Sequence, residues 1–135
     1  TWRLDARGRL IGFCGRACTG IVLDGHTFSW ADRPVDIAWH PLYPEQAVEG
    51  YEPLYRIWCN SLAAVSIPLG LEDAEGLEVW RGAAMPEHGR GRSTAYGRVG
   101  YGERQVPFQV VEGALRLQVE DEFRAHWLYV VRRKA

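Results

Sequence analysis

Apolar and polar residues alternate with a period of two through most of this chain, the pattern of strands with one buried and one wet face. Residues 9–13 form a first short apolar run, and Gly12 and Gly15 interrupt any helical reading of it. Ile21-Val22-Leu23 leads through Asp24-Gly25 into His26-Thr27-Phe28-Ser29-Trp30. Asp-Gly between two β-rich runs predicts a hairpin, because both central residues tolerate positive φ. In its second arm Phe28 and Trp30 share one face and Thr27 and Ser29 the other. A turn at 31–34 precedes an alternating strand at 35–39. Residues 54–60 set Leu54, Arg56 and Trp58 against Tyr55, Ile57 and Cys59. Further strands are predicted at 63–69 and 77–81, separated by an acidic segment at 71–76 that is more economical as a turn than as a short helix. At the end of the chain, 106–111 meets 114–119 through Glu112-Gly113, with Leu115, Leu117 and Val119 alternating with Arg116 and Gln118. Residues 126–131 are the last strand, and Arg132-Arg133-Lys134 reads as a solvated tail.

Two stretches break the pattern. Residues 40–53 carry Pro41, Pro44 and Pro53, which oppose regular structure, together with Tyr43 and Tyr51. Residues 82–105 hold six glycines, four arginines and Tyr96 and Tyr101, a length at which an irregular loop usually serves a function. The whole predicts an all-β fold: one domain over residues 1–135, an antiparallel, jelly-roll-like β-sandwich of about eight to ten short strands. No repeat of 20 to 50 residues is visible, which disfavours a propeller or solenoid.

Composition narrows the function classes. At 135 residues one domain can bury about two thirds of its unfolded surface, enough for a core without a metal or disulfide staple. Sixteen Lys+Arg against seventeen Asp+Glu leave a formal charge of −1, so a dominant nucleic-acid or anionic-membrane field is not expected. No apolar run approaches the ~18 residues of a spanning helix, and no membrane partner is expected. The opening Thr1-Trp2-Arg3-Leu4-Asp5 lacks the apolar core of an export signal. This places the chain, as it stands, in the cytoplasm, or outside the cell if it is a domain excised from a secreted protein.

Candidate chemistry is sparse. Cys14, Cys18 and Cys59 are odd in number, and Cys-x₃-Cys with one distant partner is poor zinc spacing; buried thiols and no metal are expected. The histidines show no ligand spacing, and no nucleophile elbow, phosphate loop or dinucleotide fingerprint occurs; no cofactor is expected. The arginine–glycine runs Gly89-Arg90-Gly91-Arg92 and Gly97-Arg98 resemble nucleic-acid segments, but Glu87 and Glu103 offset their charge. Most acidic residues fall in turns; Asp36, on a strand, is the exception. Six tryptophans and six tyrosines exceed what a core of this size requires. Sugars present C–H faces that stack on aromatic rings and hydroxyls that suit Arg, Asn and Asp. Trp39, Tyr43, Tyr51, Trp80, Tyr96 and Tyr101 are therefore the candidate ligand platforms, with Arg98 as a bidentate donor.

The closing segment, from Val106-Pro107-Phe108 through Gly113-Ala114-Leu115-Arg116-Leu117-Gln118-Val119 to His126-Trp127-Leu128-Tyr129-Val130-Val131, resembles the last strands of small β-sandwich accessory domains of multidomain bacterial glycoside hydrolases. Residues 23–34 resemble an early strand pair of the same domains. The resemblance implies a non-catalytic role: binding carbohydrate, or packing against a catalytic domain. Two other classes stay open. One is a small glycan-active hydrolase or lyase using Asp36 with a loop histidine or tyrosine. The other is a protein-interaction or self-assembly domain, a homo-oligomer whose exposed aromatic patch is covered by its partner.

Overall fold

The computed structural model of the chain describes residues 1–43, 47–61, 65–84, 104–117 and 126–134. Among them are twelve strands and no helix: β1 Trp2–Leu4, β2 Leu10–Cys18, β3 Gly20–Leu23, β4 His26–Ser29, β5 Val35–Pro41, β6 Tyr51–Cys59, β7 Ser66–Ile67, β8 Leu77–Ala84, β9 Arg104–Gln105, β10 Phe108–Val111, β11 Ala114–Leu117 and β12 His126–Arg133. All pairings between these strands are antiparallel. The fold is the all-β, sandwich-like one that the alternation predicts. The two strands beyond the expected ten are β1 and β9, edge pieces of three and two residues that are too short to show a period.

An open seven-stranded sheet in the order β1-β2-β5-β6-β12-β8-β9 carries a three-stranded sheet, β10-β11-β7, and the β3-β4 hairpin. The core lies between them. β5 contributes Val35, Ile37 and Trp39, β6 Ile57 and Cys59, β8 Leu77 and Val79, and β12 Leu128 and Val130. Ile67, Leu115 and Leu117 meet them from the three-stranded sheet, while Ile21, Leu23 and Phe28 pack in from the hairpin. Phe13, Trp30 and Trp39 form an aromatic knot with ring centroids 4.4 to 5.6 Å apart. Gly15 makes room for it, since a Cβ there would stand 2.7 Å from the Phe13 ring.

Local chemistry explains the turns. Asp24 and Gly25 both take positive φ, 49° and 79°, matching the right-handed twist of a two-residue hairpin loop. Glu112 and Gly113 repeat this at 51° and 84°. Asp5 closes the β1–β2 turn: one carboxylate oxygen accepts the Arg7 and Arg9 amides, and the other accepts Arg9 Nε at 2.7 Å. These bonds hold the Asp5 carboxyl below its usual pKa. The acidic segment at 71–76 is a turn, in which Asp73 accepts the Glu75 amide.

Three expectations are corrected. Residues 40–53 are less irregular than their prolines suggest, because β5 runs through Pro41 and β6 begins at Tyr51. Pro53 is accommodated at a bulge where the β6–β12 register shifts, a position where a missing N–H costs little. Arg132 and Arg133 are strand residues and not a free tail: they bond Asp73 and Glu78. The thiols are not uniformly buried: Cys59 is buried, Cys18 is intermediate, and Cys14 is exposed.

Candidate functional site

The second face of the large sheet differs from an ordinary solvated face. Pairing aligns His40 with Arg56, Arg56 with Tyr129, Tyr129 with Trp80, and Trp80 with Gln105. This row crosses five strands and so spans roughly 19 Å. It turns outward because each member alternates with a core residue: His40 follows Trp39, Arg56 precedes Ile57, and Trp80 follows Val79. Leu42 and Val48, which follow β5 and precede β6, are buried over the row with Tyr129 and Val131; Tyr51, Trp80 and Trp127 pack against this small second core. The row is thereby divided into two polar–aromatic clusters.

In the first cluster Arg56 lies over Trp127, its guanidinium carbon 3.9 Å from the ring centre, a cation–π contact. Arg56 Nε and Nη2 both donate to His40 Nε2, at 3.1 and 2.8 Å. The other imidazole nitrogen, Nδ1, donates to the Pro41 carbonyl at 2.9 Å. Two donors converging on Nε2 require a lone pair there, so the ring is the neutral Nδ1–H tautomer. Tyr43 stands beside it, ring centres 5.9 Å apart and 35° tilted, with 52% of its surface exposed.

Burial lowers the pKa of His40 below the ordinary imidazole value of 6.5, and Arg56 adds to the effect, while the Pro41 bond opposes it. The stability consequence has a definite sign. The unfolded chain takes up the His40 proton first as pH falls below about 6.5, so stability declines with falling pH and the loss is complete below the folded pKa. Arg56 is the charged group facing this imidazole. The melting temperature is therefore expected to fall between pH 7.5 and pH 5, ahead of the carboxylates. His40→Gln should flatten that part of the profile; an unchanged profile would show that His40 does not titrate with folding.

The second cluster centres on Glu78, whose side chain is 13% exposed. Its Oε1 accepts Trp80 Nε1 at 2.9 Å, the Tyr51 hydroxyl at 3.3 Å and Gln105 Nε2 at 3.4 Å. Its Oε2 pairs with Arg133 at 2.8 Å. This carboxylate fixes the orientations of two aromatic rings, and its own hydrogen-bonding capacity is largely used in doing so.

Of the residues singled out in the sequence, Tyr43, Tyr51 and Trp80 come together on this face. Trp39 does not: it is 1% exposed and belongs to the core, because on β5 it has the parity of Val35 and Ile37. Tyr96, Arg98 and Tyr101 lie outside the described residues. Sequence reasoning missed His40, Arg56, Glu78 and Trp127. The parity of Arg56 with Trp58 was a visible sign of a polar–aromatic face, but strand neighbours across the sheet were not. Asp36 serves the backbone: its Oδ1 accepts the Ala17 amide at 2.8 Å, where Ala17 holds φ at 47° in the β2–β5 register shift.

A cleft of about 1080 Å³ opens at the sheet end where the turns at Arg7–Gly8, Asp24 and Glu112–Gly113 gather. Its floor includes Leu10, Leu69 and Leu71, and two of its three arginines are bound to acids, Arg9 to Asp5 and Arg132 to Asp73. Among the described residues no group of three or more His, Cys, Asp or Glu side chains is placed to hold a metal, and no helix is long and apolar enough to cross a membrane. The chain matches no protein family, no curated protein and no solved structure.

Proposed function

We propose that this chain is a carbohydrate-binding accessory module with no catalytic activity of its own, and that its ligand lies on the outer face of the large sheet. One observation carries the reading: the exposed Tyr43 and the half-buried Tyr51, Trp80 and Trp127 share a sheet face with Arg56, His40 and Glu78. Flat rings beside oriented donors and acceptors suit the alternation of C–H faces and hydroxyls on a sugar chain. The hydrolase or lyase alternative gains less support, since Asp36 is engaged with the Ala17 amide. Self-assembly has one observation in its favour: Trp2 is 56% exposed on β1, the edge of the large sheet among the described residues, and sheet edges invite strand addition.

Affinity electrophoresis against soluble β-glucan, xylan, mannan and polygalacturonate, with a parallel assay for new reducing ends, tests the reading. Retardation by at least one polysaccharide without new reducing ends is expected. Tyr43→Ala with Trp80→Ala should weaken it at least tenfold. Reducing ends released by the protein would make it an enzyme. Retardation by none of the four, with a dimer in sedimentation, would transfer the aromatic surface to self-assembly.

A further inference from the structure

Among the described residues the first cluster holds a half-buried guanidinium with no carboxylate beside it. Arg9, Arg132 and Arg133 pair with Asp5, Asp73 and Glu78. Arg56 has no such partner among the described residues, although it is only partly exposed and rests on Trp127. Its hydrogen-bond partner is a neutral imidazole. Withdrawing a guanidinium from water without an opposite charge is costly, and a fold that needed Arg56 only as a packing element could have placed an acid beside it.

The geometry of the guanidinium shows where the missing charge would go. Nε and one N–H of Nη2 are occupied by His40 Nε2. The end formed by Nη1 and the remaining N–H of Nη2 has no hydrogen-bond partner among the described residues. These two parallel donors match the two oxygens of a carboxylate. Trp127 beneath and His40 at the side hold the plane of the fork, so little rotamer freedom is left to lose on binding. The exposed ring of Tyr43 lies against the same imidazole, offering a flat apolar face within one small site.

We propose that Arg56 is the anion-recognition point of this face and that the glycan it binds is acidic, a uronic-acid polymer whose carboxylate is gripped by the open end of the guanidinium while the pyranose ring stacks on Tyr43. This proposal rests on the carbohydrate-binding reading above. His40 is a positioning residue in it: it never touches the ligand, and it keeps the fork aimed by accepting the opposite edge of Arg56.

Isothermal titration with polygalacturonate oligomers, their full methyl esters, dextran sulfate and polyglutamate separates the outcomes. The methyl ester keeps the sugar backbone and removes the charge. Polygalacturonate is expected to bind at least tenfold tighter than the ester. Arg56→Lys, which keeps the charge and loses the fork, should erase that preference. Equal binding of acid and ester would overturn the acidic-ligand inference and leave the carbohydrate reading intact. Dextran sulfate binding in place of polygalacturonate would overturn the carboxylate assignment. Polyglutamate binding as tightly as polygalacturonate would show that the anion is read and the sugar is not. Binding of none of these, with neutral β-glucan, xylan or mannan bound, would also refute an acidic ligand, whereas failure of all glycans would remove the underlying reading as well. Should Arg56→Lys unfold, the acid-to-ester ratio on the unmodified chain decides alone.

Discussion

Trp39→Ala is expected to destabilise the protein by about 3–5 kcal/mol, the usual cost of deleting a buried aromatic side chain. Trp39 is 1% exposed and sits against Phe13 and Trp30 at 5.6 and 5.3 Å between ring centres, so removing the indole opens a cavity that the paired backbones of β2 and β5 cannot collapse to fill. Its indole N–H has no hydrogen-bond partner among the described residues, so Trp39→Phe loses volume but no polar contact and should cost markedly less. Urea denaturation of the two variants measures the difference. Tyr43→Ala is the matched control, because substitutions at exposed positions usually stay within ~0.5 kcal/mol. A mild Trp39→Ala would place the indole outside the core and restore it as a ligand platform.

The second large effect is expected at Glu78. Glu78→Ala removes the common acceptor of Trp80 Nε1, the Tyr51 hydroxyl and Gln105 Nε2, and hydrogen bonds to a charged group contribute about 1.5–3 kcal/mol. The Arg133 pair adds little, since that side chain is 61% exposed and solvent screens it. Glu78→Gln retains an acceptor oxygen and should recover part of the loss. Because Glu78 orients Trp80 and Tyr51, the alanine variant is also expected to change tryptophan fluorescence in the folded state. Glu78→Ala with unaltered stability and spectrum would mean that the two rings are held by the Leu42–Val48 packing alone.

The elements with regular alternation were legible. The Asp24-Gly25 and Glu112-Gly113 hairpins form where the turn chemistry places them, and the parities of β5, β11 and the Tyr55–Cys59 part of β6 read from the sequence are those of the structure, whereas Leu54 joins Tyr55 on the core because the β6–β12 register shifts there. The end of β5, the start of β6 and the edge strands β1 and β9 were not. A proline is forbidden only where its N–H would enter the ladder, and whether Pro41 and Pro53 are so placed depends on neighbouring strands. The aromatic candidates illustrate the same limit. Trp39 and Trp80 look alike in sequence, each in an alternating strand, yet one faces the core and the other the outside.

Local composition and period therefore determine that this chain is β-structured, where its hairpins turn and which residues of a strand share a face, because these depend on contacts within a few residues. Which of the two faces is covered was decided by the tertiary structure, since burial depends on where the β3–β4 hairpin and the three-stranded sheet dock. The joining of His40, Arg56 and Trp127 was decided in the same way. They lie on β5, β6 and β12, up to 87 residues apart in the chain, and only the strand order β5-β6-β12 brings a neutral imidazole, a guanidinium and an indole into contact.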